Sequence, residues 1–336
     1  MYAVRFHEHG GPEVLKYEEA PEPEAGPGEA VVRVHACALN HLDLWQRRGM
    51  EKVRIPFPHI SGADIAGEVV SGELAGRRVM LQPGVSCGRC GQCLAGQDNL
   101  CPGYDLLGYM CQGGYAELVK APLANLVPIP DGVGFVEAAA FPLVFLTAWH
   151  MLVARAGVRV GEDVLVLAAG SGVGQAAIQI ARLLGARVFA TGGSEEKLER
   201  ARALGAHAAI DHYRQDIAAE VRTLTSRRGV DVVVEHVGSA TWEKSVRSLA
   251  RGGRLVTCGA TTGPSGPIDI RYLFSRQISL LGSYMGTKSE LLQVASFFFD
   301  GRLTPIIDRT FPLADAAEAH RRLEQKEQFG KIVLVT

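Results

Sequence analysis

The chain has 336 residues, 47% of them hydrophobic and 21% charged, with a formal net charge of −1. This length exceeds one ordinary hydrophobic core, so two domains of a globular α/β protein are expected. The near-neutral charge provides no basic face for a phosphate backbone, so no nucleic-acid partner is expected. The start MYAVRFHEHGGPEV lacks the apolar core of a secretion signal, and no apolar run nears the ~20 residues that span a bilayer. A cytoplasmic chain with no membrane partner is the expectation.

The first 125 residues read as β-rich. Short strands such as EAVVRVHACAL (29–39) and HISGADIAGEVV (59–70) are broken by Gly/Pro turns such as PEPEAGPGEA. Within this lobe CGRCGQCLAGQDNLC places Cys87, Cys90, Cys93 and Cys101 at spacings of two, two and seven residues. The four thiols suit either two disulfides or one tetrahedral Zn²⁺. Metal thiolates are expected in a large chain without a secretion signal.

From about residue 160 the rhythm changes. DVLVLAAG fits a buried strand, SGVGQ a glycine turn, and AAIQIARLLGA a helix with a glycine stop. The unit repeats through RVFAT, EEKLERARALGA, HAAID, QDIAAEVRTLTS and VDVVVEHVG. TWEKSVRSLARGG follows as a helix, and RLVTCGA and QISLLGSY as strands. Such alternation predicts a doubly wound parallel sheet covered on both faces. FGKIVLVT, after the helical ADAAEAHRRLEQ, reads as one further strand.

The turn Gly170–Ser171–Gly172–Val173–Gly174 lies between a strand and a helix, the context that gives a glycine motif meaning. Its backbone suits a pyrophosphate at the helix N-terminus. NAD-binding folds place a carboxylate about 20 residues on, for the ribose hydroxyls. Here Gly192 and Gly193 stand at that spot, with Ser194 and Lys197 close behind. Room for a 2′-phosphate, and two groups to hold it, point to NADP(H) rather than NAD(H).

GPEVL, GADIAG, the four-cysteine loop, GGYAEL (113–118), AAAFPLVFLTAWHML and AAGSGVG together resemble the medium-chain dehydrogenase/reductase superfamily. The resemblance covers essentially the whole chain. It implies a GroES-like catalytic domain over 1–125, completed by about 305–336, and a Rossmann domain over 126–304. It also implies a nicotinamide in the interdomain cleft and a homodimer or homotetramer, with QISLLGSY similar to the pairing strand.

By the same resemblance the cysteine loop is a structural zinc site, closed to substrate. Zinc-type alcohol dehydrogenases carry a second, catalytic zinc. At its ligand positions this chain has Asn40, Ala63 (followed by Asp64) and about Leu143. Leu42 also replaces a hydroxyl used for proton relay, and SGELAGRRVM is shorter than the corresponding hairpin. His41, His59, Asp64 and Cys111 are the residues from which another metal site would have to be built.

ALNHLD resembles the zinc-lacking quinone and enone reductases. The implied reaction is hydride transfer from NADPH to a quinone or α,β-unsaturated carbonyl compound. The alternative is a zinc-dependent alcohol dehydrogenase with rearranged ligands. The resemblance gives Asn40, His41 and Thr147 as catalytic candidates, Asn40 and Thr147 beside the nicotinamide and His41 at a position that contacts the pyrophosphate in relatives, with Trp45 either capping the substrate pocket or in the core. Val237, Gly238, Gly259 and Ala260 would line the cofactor, Lys331 would reach its phosphates, and His212 or Tyr213 would lie near the 2′-phosphate.

Overall fold

The computed structural model describes residues 1–51, 53–70 and 72–336. Ser71, which opens the shortened SGELAGRRVM hairpin, lies outside the described residues. The chain forms two compact units, Met1–Val144 with Thr287–Thr336, and Phe145–Gly286.

The first unit is built on a seven-stranded sheet in the order Ile307–Pro312, Lys331–Val335, Glu29–Ala38, Asp64–Val69, Arg78–Leu81 and Leu126–Pro128, with Leu118–Pro122 also pairing Glu29–Ala38. Ala30, Val32 and Val34 alternate inward along the longest strand. They meet Ile65, Val79, Tyr115, Val119, Ile332 and Leu334 in one core. The C-terminal strand runs antiparallel to Glu29–Ala38, with Val333 opposite Ala38. Asp64 also pairs with Ala38, on the other side. The ends of three strands distant in sequence therefore meet at one corner of the sheet.

The second unit is a six-stranded, all-parallel sheet. Its order is Ala208–Asp211, Arg187–Gly192, Asp163–Val166, Val230–Glu235, Leu249–Thr257 and Ser279–Gly282. Its central strands are buried on both faces, as their continuous apolar runs require. Strand order reverses between Asp163–Val166 and Val230–Glu235, the switch point at which open α/β sheets bind ligands.

The two units divide at 144/145 and 286/287. The helix Phe135–Ala140 packs on the strands Glu29–Ala38 and Asp64–Val69. Phe298 of the helix Lys288–Phe299 stacks on Phe141 at 4.5 Å. Burial of these apolar faces assigns both segments to the first unit. The helix expected over TWEKSVRSLARGG ends at Arg247, because the strand already begins at Leu249. Its register shifts between the pairs Val230–Leu249 and Val232–Arg254, where the four residues 250–253 stand opposite Asp231 alone.

Candidate active site and metal centre

Asn40 follows the strand Glu29–Ala38 and caps the helix His41–Arg48. Its Nδ2 donates to Asp64 Oδ2 at 2.9 Å. Lys331 Nζ donates to Asn40 Oδ1 at 2.6 Å and to Asp64 Oδ2 at 2.9 Å. Asp64 Oδ1 accepts from the Leu143 N–H at 2.8 Å. The lysine fixes the amide orientation of Asn40, since an ammonium can only face the carbonyl oxygen. All three side chains are buried, at 7% exposure for Asn40, 0% for Asp64 and 2% for Lys331.

Asn40, the Asp64 that follows Ala63, and the Leu143 amide thus join in one hydrogen-bonded cluster around a buried ammonium, at or beside the positions that the resemblance gives to catalytic metal ligands. Two of the three N–H bonds of Lys331 are committed among the described residues. The second N–H of Asn40 Nδ2 has only the Ala38 carbonyl at 3.5 Å. Each group keeps donor capacity, which is what an oxygen acquiring negative charge requires.

Lys331, expected at cofactor phosphates, is held in this buried ion pair because its strand pairs directly with the one leading to Asn40. No single stretch of sequence signals that pairing. His41 is half-buried with its ring 5.2 Å from Trp45, edge to face. Thr147 belongs to the second unit and is buried, its Oγ1 3.8 Å from Met285 Sδ.

In the second unit Ser171 caps the helix Gly172–Leu183, its Oγ accepting from the Gly174 N–H at 2.9 Å. A Cβ on Gly174 would collide with the Ala168 carbonyl oxygen, so only glycine lets the turn close this tightly. Ala168 itself is held at φ +49°, a conformation costing a non-glycine residue about 1–3 kcal/mol and often kept for function. His236, absent from the sequence reading, backs this turn. Its Nε2 lies 2.9 Å from the Leu167 carbonyl and 3.3 Å from Ser171 Oγ.

Glu235, also missed, is fully buried. Its Oε1 accepts from the Val237 and Gly238 amides at 2.6 and 3.0 Å, and its Oε2 from Ser245 Oγ at 2.5 Å. A Cβ on Gly238 would fall 2.9 Å from Ala260 Cα, so the turns after these adjacent strands, with Gly259 in the second, are side by side.

Gly192 ends its strand in register with Asp211. Asp211 Oδ1 accepts from the Tyr213 and Arg214 amides at 2.9 and 3.2 Å. Ser194 Oγ caps the next helix through the Lys197 N–H at 3.4 Å. Both His212 and Tyr213 lie beside Gly193. A Cβ on Gly193 would meet Tyr213 Cε2 at 2.6 Å and His212 Nε2 at 3.0 Å. Lys197 is half-buried and Tyr213 75% exposed.

The Sγ atoms of Cys87, Cys90, Cys93 and Cys101 all lie within 4.8 Å of one another. Cys90–Cys93 and Cys87–Cys93 separate by 3.5 and 3.9 Å. Four thiolates at 2.3 Å from a tetrahedral Zn²⁺ would sit about 3.8 Å apart. The set fits that ion, and these separations far exceed a disulfide bond. Backbone N–H groups of Arg89, then of Cys90, favour the Cys87 thiolate and bring its pKa to about 6. Asp98 Oδ1 takes the Lys288 N–H at 3.1 Å, tying the loop to the helix that follows. Among the described residues no second group of three metal-binding side chains converges. His59 instead bonds the Gly108 carbonyl, and Cys111 the Leu106 carbonyl.

Comparison with known proteins agrees with both units. The alcohol dehydrogenase GroES-like domain family matches residues 26–131, and the zinc-binding dehydrogenase family matches 172–300. A quinone oxidoreductase of Pseudomonas aeruginosa is 33% identical, covering 99% of this chain and 98% of the relative. An alcohol dehydrogenase of Geobacillus stearothermophilus is 31% identical over 95% of each. A crystal structure described as an NAD-dependent alcohol dehydrogenase is 50% identical over the full length of both chains, with a TM-score of 0.96. The chain is an oxidoreductase with a GroES-like domain and a Rossmann sheet, and it belongs to the medium-chain dehydrogenase/reductase superfamily.

Proposed function

We propose that the protein uses NADPH to reduce a quinone or an α,β-unsaturated carbonyl compound without a catalytic zinc. The observation that carries this reading is the Lys331–Asn40–Asp64 cluster, a buried cation standing among the positions that would hold a metal. NADPH, when bound, supplies the hydride. As hydride adds to carbon, the displaced electron pair moves to the substrate oxygen. The remaining N–H groups of Lys331 and Asn40 stabilise that oxygen, a donor of this kind being worth about 3 kcal/mol. Solvent provides the proton that completes the product.

Preference for NADPH is supported by the absence of a side chain on Gly192. Ser194, Lys197, His212 and Tyr213 are the groups offered to the 2′-phosphate. One zinc per chain, held by Cys87, Cys90, Cys93 and Cys101, would brace its loop without touching substrate. The edge strand Ser279–Gly282 suits pairing with a second copy, as expected of a homodimer or homotetramer in the cytoplasm.

A second reading, a zinc-dependent alcohol dehydrogenase using NAD(H), is favoured by likeness to the alcohol dehydrogenases named above. A panel of quinones, enones and simple alcohols, assayed with both cofactors, separates the two. Asn40→Ala is expected to lower quinone or enone turnover by up to about a hundredfold while leaving NADPH affinity unchanged. Brisk oxidation of simple alcohols, stopped reversibly by a chelator, would sink the metal-free mechanism.

A further inference from the structure

The backbone of Asn40 is held by a second set of buried groups, separate from the Lys331 cluster. Asp43 Oδ2 accepts from the Asn40 N–H at 2.8 Å and from the Tyr115 hydroxyl at 2.9 Å. Tyr115 Oη lies 3.3 Å from His320 Nε2, and His320 Nδ1 lies 3.1 Å from Arg47 Nη1. Arg47 also donates to the Gly10 carbonyl at 3.2 Å and pairs with Glu324, which meets Arg48 at the surface. Asp43, Tyr115 and His320 are fully buried, and Arg47 is 1% exposed. Asp43 and Arg47 lie one turn apart on their helix, as do His320 and Glu324 on the helix Ala316–Glu324.

Every proton in this chain has one possible place. A guanidinium only donates, so His320 Nδ1 accepts and its proton sits on Nε2. Nε2 then donates to Tyr115, whose hydroxyl donates to Asp43. Burial, assisted by Arg47 and Arg48, lowers His320 to about 3 and keeps it neutral. Asp43 holds both donors most strongly as a carboxylate. A proton on Oδ2 would face two donors, and Oδ1 is buried with no hydrogen-bond partner. Either placement removes the charge that strengthens the bond to Asn40.

We propose that Asp43, Tyr115, His320 and Arg47 form a positioning relay that holds Asn40 in its working place only while Asp43 is ionised. The consequence for turnover rests on the reading that Asn40 acts on substrate. Asp43 is faced by Cys37, Asp64 and Lys331 from the strands of the sheet and by Tyr115 from the loop before Leu118–Pro122, with Arg47 one turn further along its own helix. Burial is the largest influence and lifts the Asp43 carboxyl to about 6. The Asn40 amide, the Tyr115 hydroxyl and Lys331 oppose that rise, and Asp64 adds to it. Function is then complete above this value and lost as pH falls through it.

The test uses the zinc-loaded full chain and Tyr115→Phe, which deletes one donor to the carboxylate and keeps the ring. Two readouts are taken, the acid limb of kcat/KM and the titration of the Asp43 carboxyl carbon by NMR. Both midpoints are expected to rise by about one pH unit in Tyr115→Phe, with NADPH affinity unchanged. Asp43→Asn should abolish the limb and lower kcat at every pH. Equal Asp43 midpoints in wild type and Tyr115→Phe overturn the relay, as does an acid limb that persists in Asp43→Asn. If quinones and enones prove not to be substrates, the reading of the reaction fails alone. The carboxyl titration still decides the relay, a raised midpoint supporting it and an unmoved one refuting it.

Discussion

Lys331 and Asp64 meet at 2.9 Å with both side chains buried, at the end of the first unit's sheet where their two strands flank Glu29–Ala38. Such a pair offsets the cost of leaving water only when its other lone pairs and protons are engaged. Here Asn40 and the Leu143 amide engage them. Removing one partner strands the other charge, so Lys331→Met should cost about 3–5 kcal/mol of stability. Lys331→Met with Asp64→Asn should cost less than Lys331→Met alone, measured by urea unfolding. Losses that simply add would mean the two groups are not coupled.

The metal prediction is independent of the reaction. Elemental analysis should find close to one zinc per chain, and Cys93→Ser should lose it together with thermal stability. Structural zinc sites contribute binding free energy on the order of 10 kcal/mol in small peptides. A large fall in Tm is therefore expected. A stoichiometry near two would return a catalytic metal to the site.

Cofactor preference is decided by titrating NADPH and NADH, following nicotinamide fluorescence. NADPH should bind more tightly, and Lys197→Ala should erase much of the difference, about tenfold for one charge-assisted hydrogen bond. Gly192→Asp should reverse the preference, because its carboxylate would repel a 2′-phosphate and accept from ribose hydroxyls. Equal affinities in the unaltered protein would remove the proposed phosphate site.

The Rossmann unit has its own acid-sensitive element. Asp163 accepts from Arg187 at 2.6 and 2.8 Å and from Arg228 at 2.7 Å. Burial would raise its carboxyl, but the two guanidiniums more than offset this and hold it below 3.8. A lowered carboxylate stabilises the fold above its unfolded value. That contribution is lost as pH falls through the folded value. The stability gap between wild type and Arg228→Met should be open at neutral pH and narrow below pH about 4. Unfolding midpoints across pH 3 to 7 check this, and a gap that stays constant would contradict it.

The sequence by itself determined what depends on short-range order. Continuous apolar runs alternating with helical periodicity marked each Rossmann strand but the start of Leu249–Thr257. There the local SLARGG pattern suited a helix and pairing with Val230–Glu235 chose a strand. The cysteine spacing foretold a cluster within 4.8 Å because its ligands come from one short loop. Glycine turns were legible for the same reason.

Only the tertiary structure decided what depends on strand pairing across the whole chain. Lys331 stands 291 residues from Asn40, and Arg47 stands 273 from His320. Nothing near either residue in sequence indicates its partner. The antiparallel register of the last strand beside Glu29–Ala38 puts an ammonium between Asn40 and Asp64. Packing of the helices Phe135–Ala140 and Lys288–Phe299 likewise set the unit boundaries, because buried apolar area is a property of the assembled sheet and not of any segment.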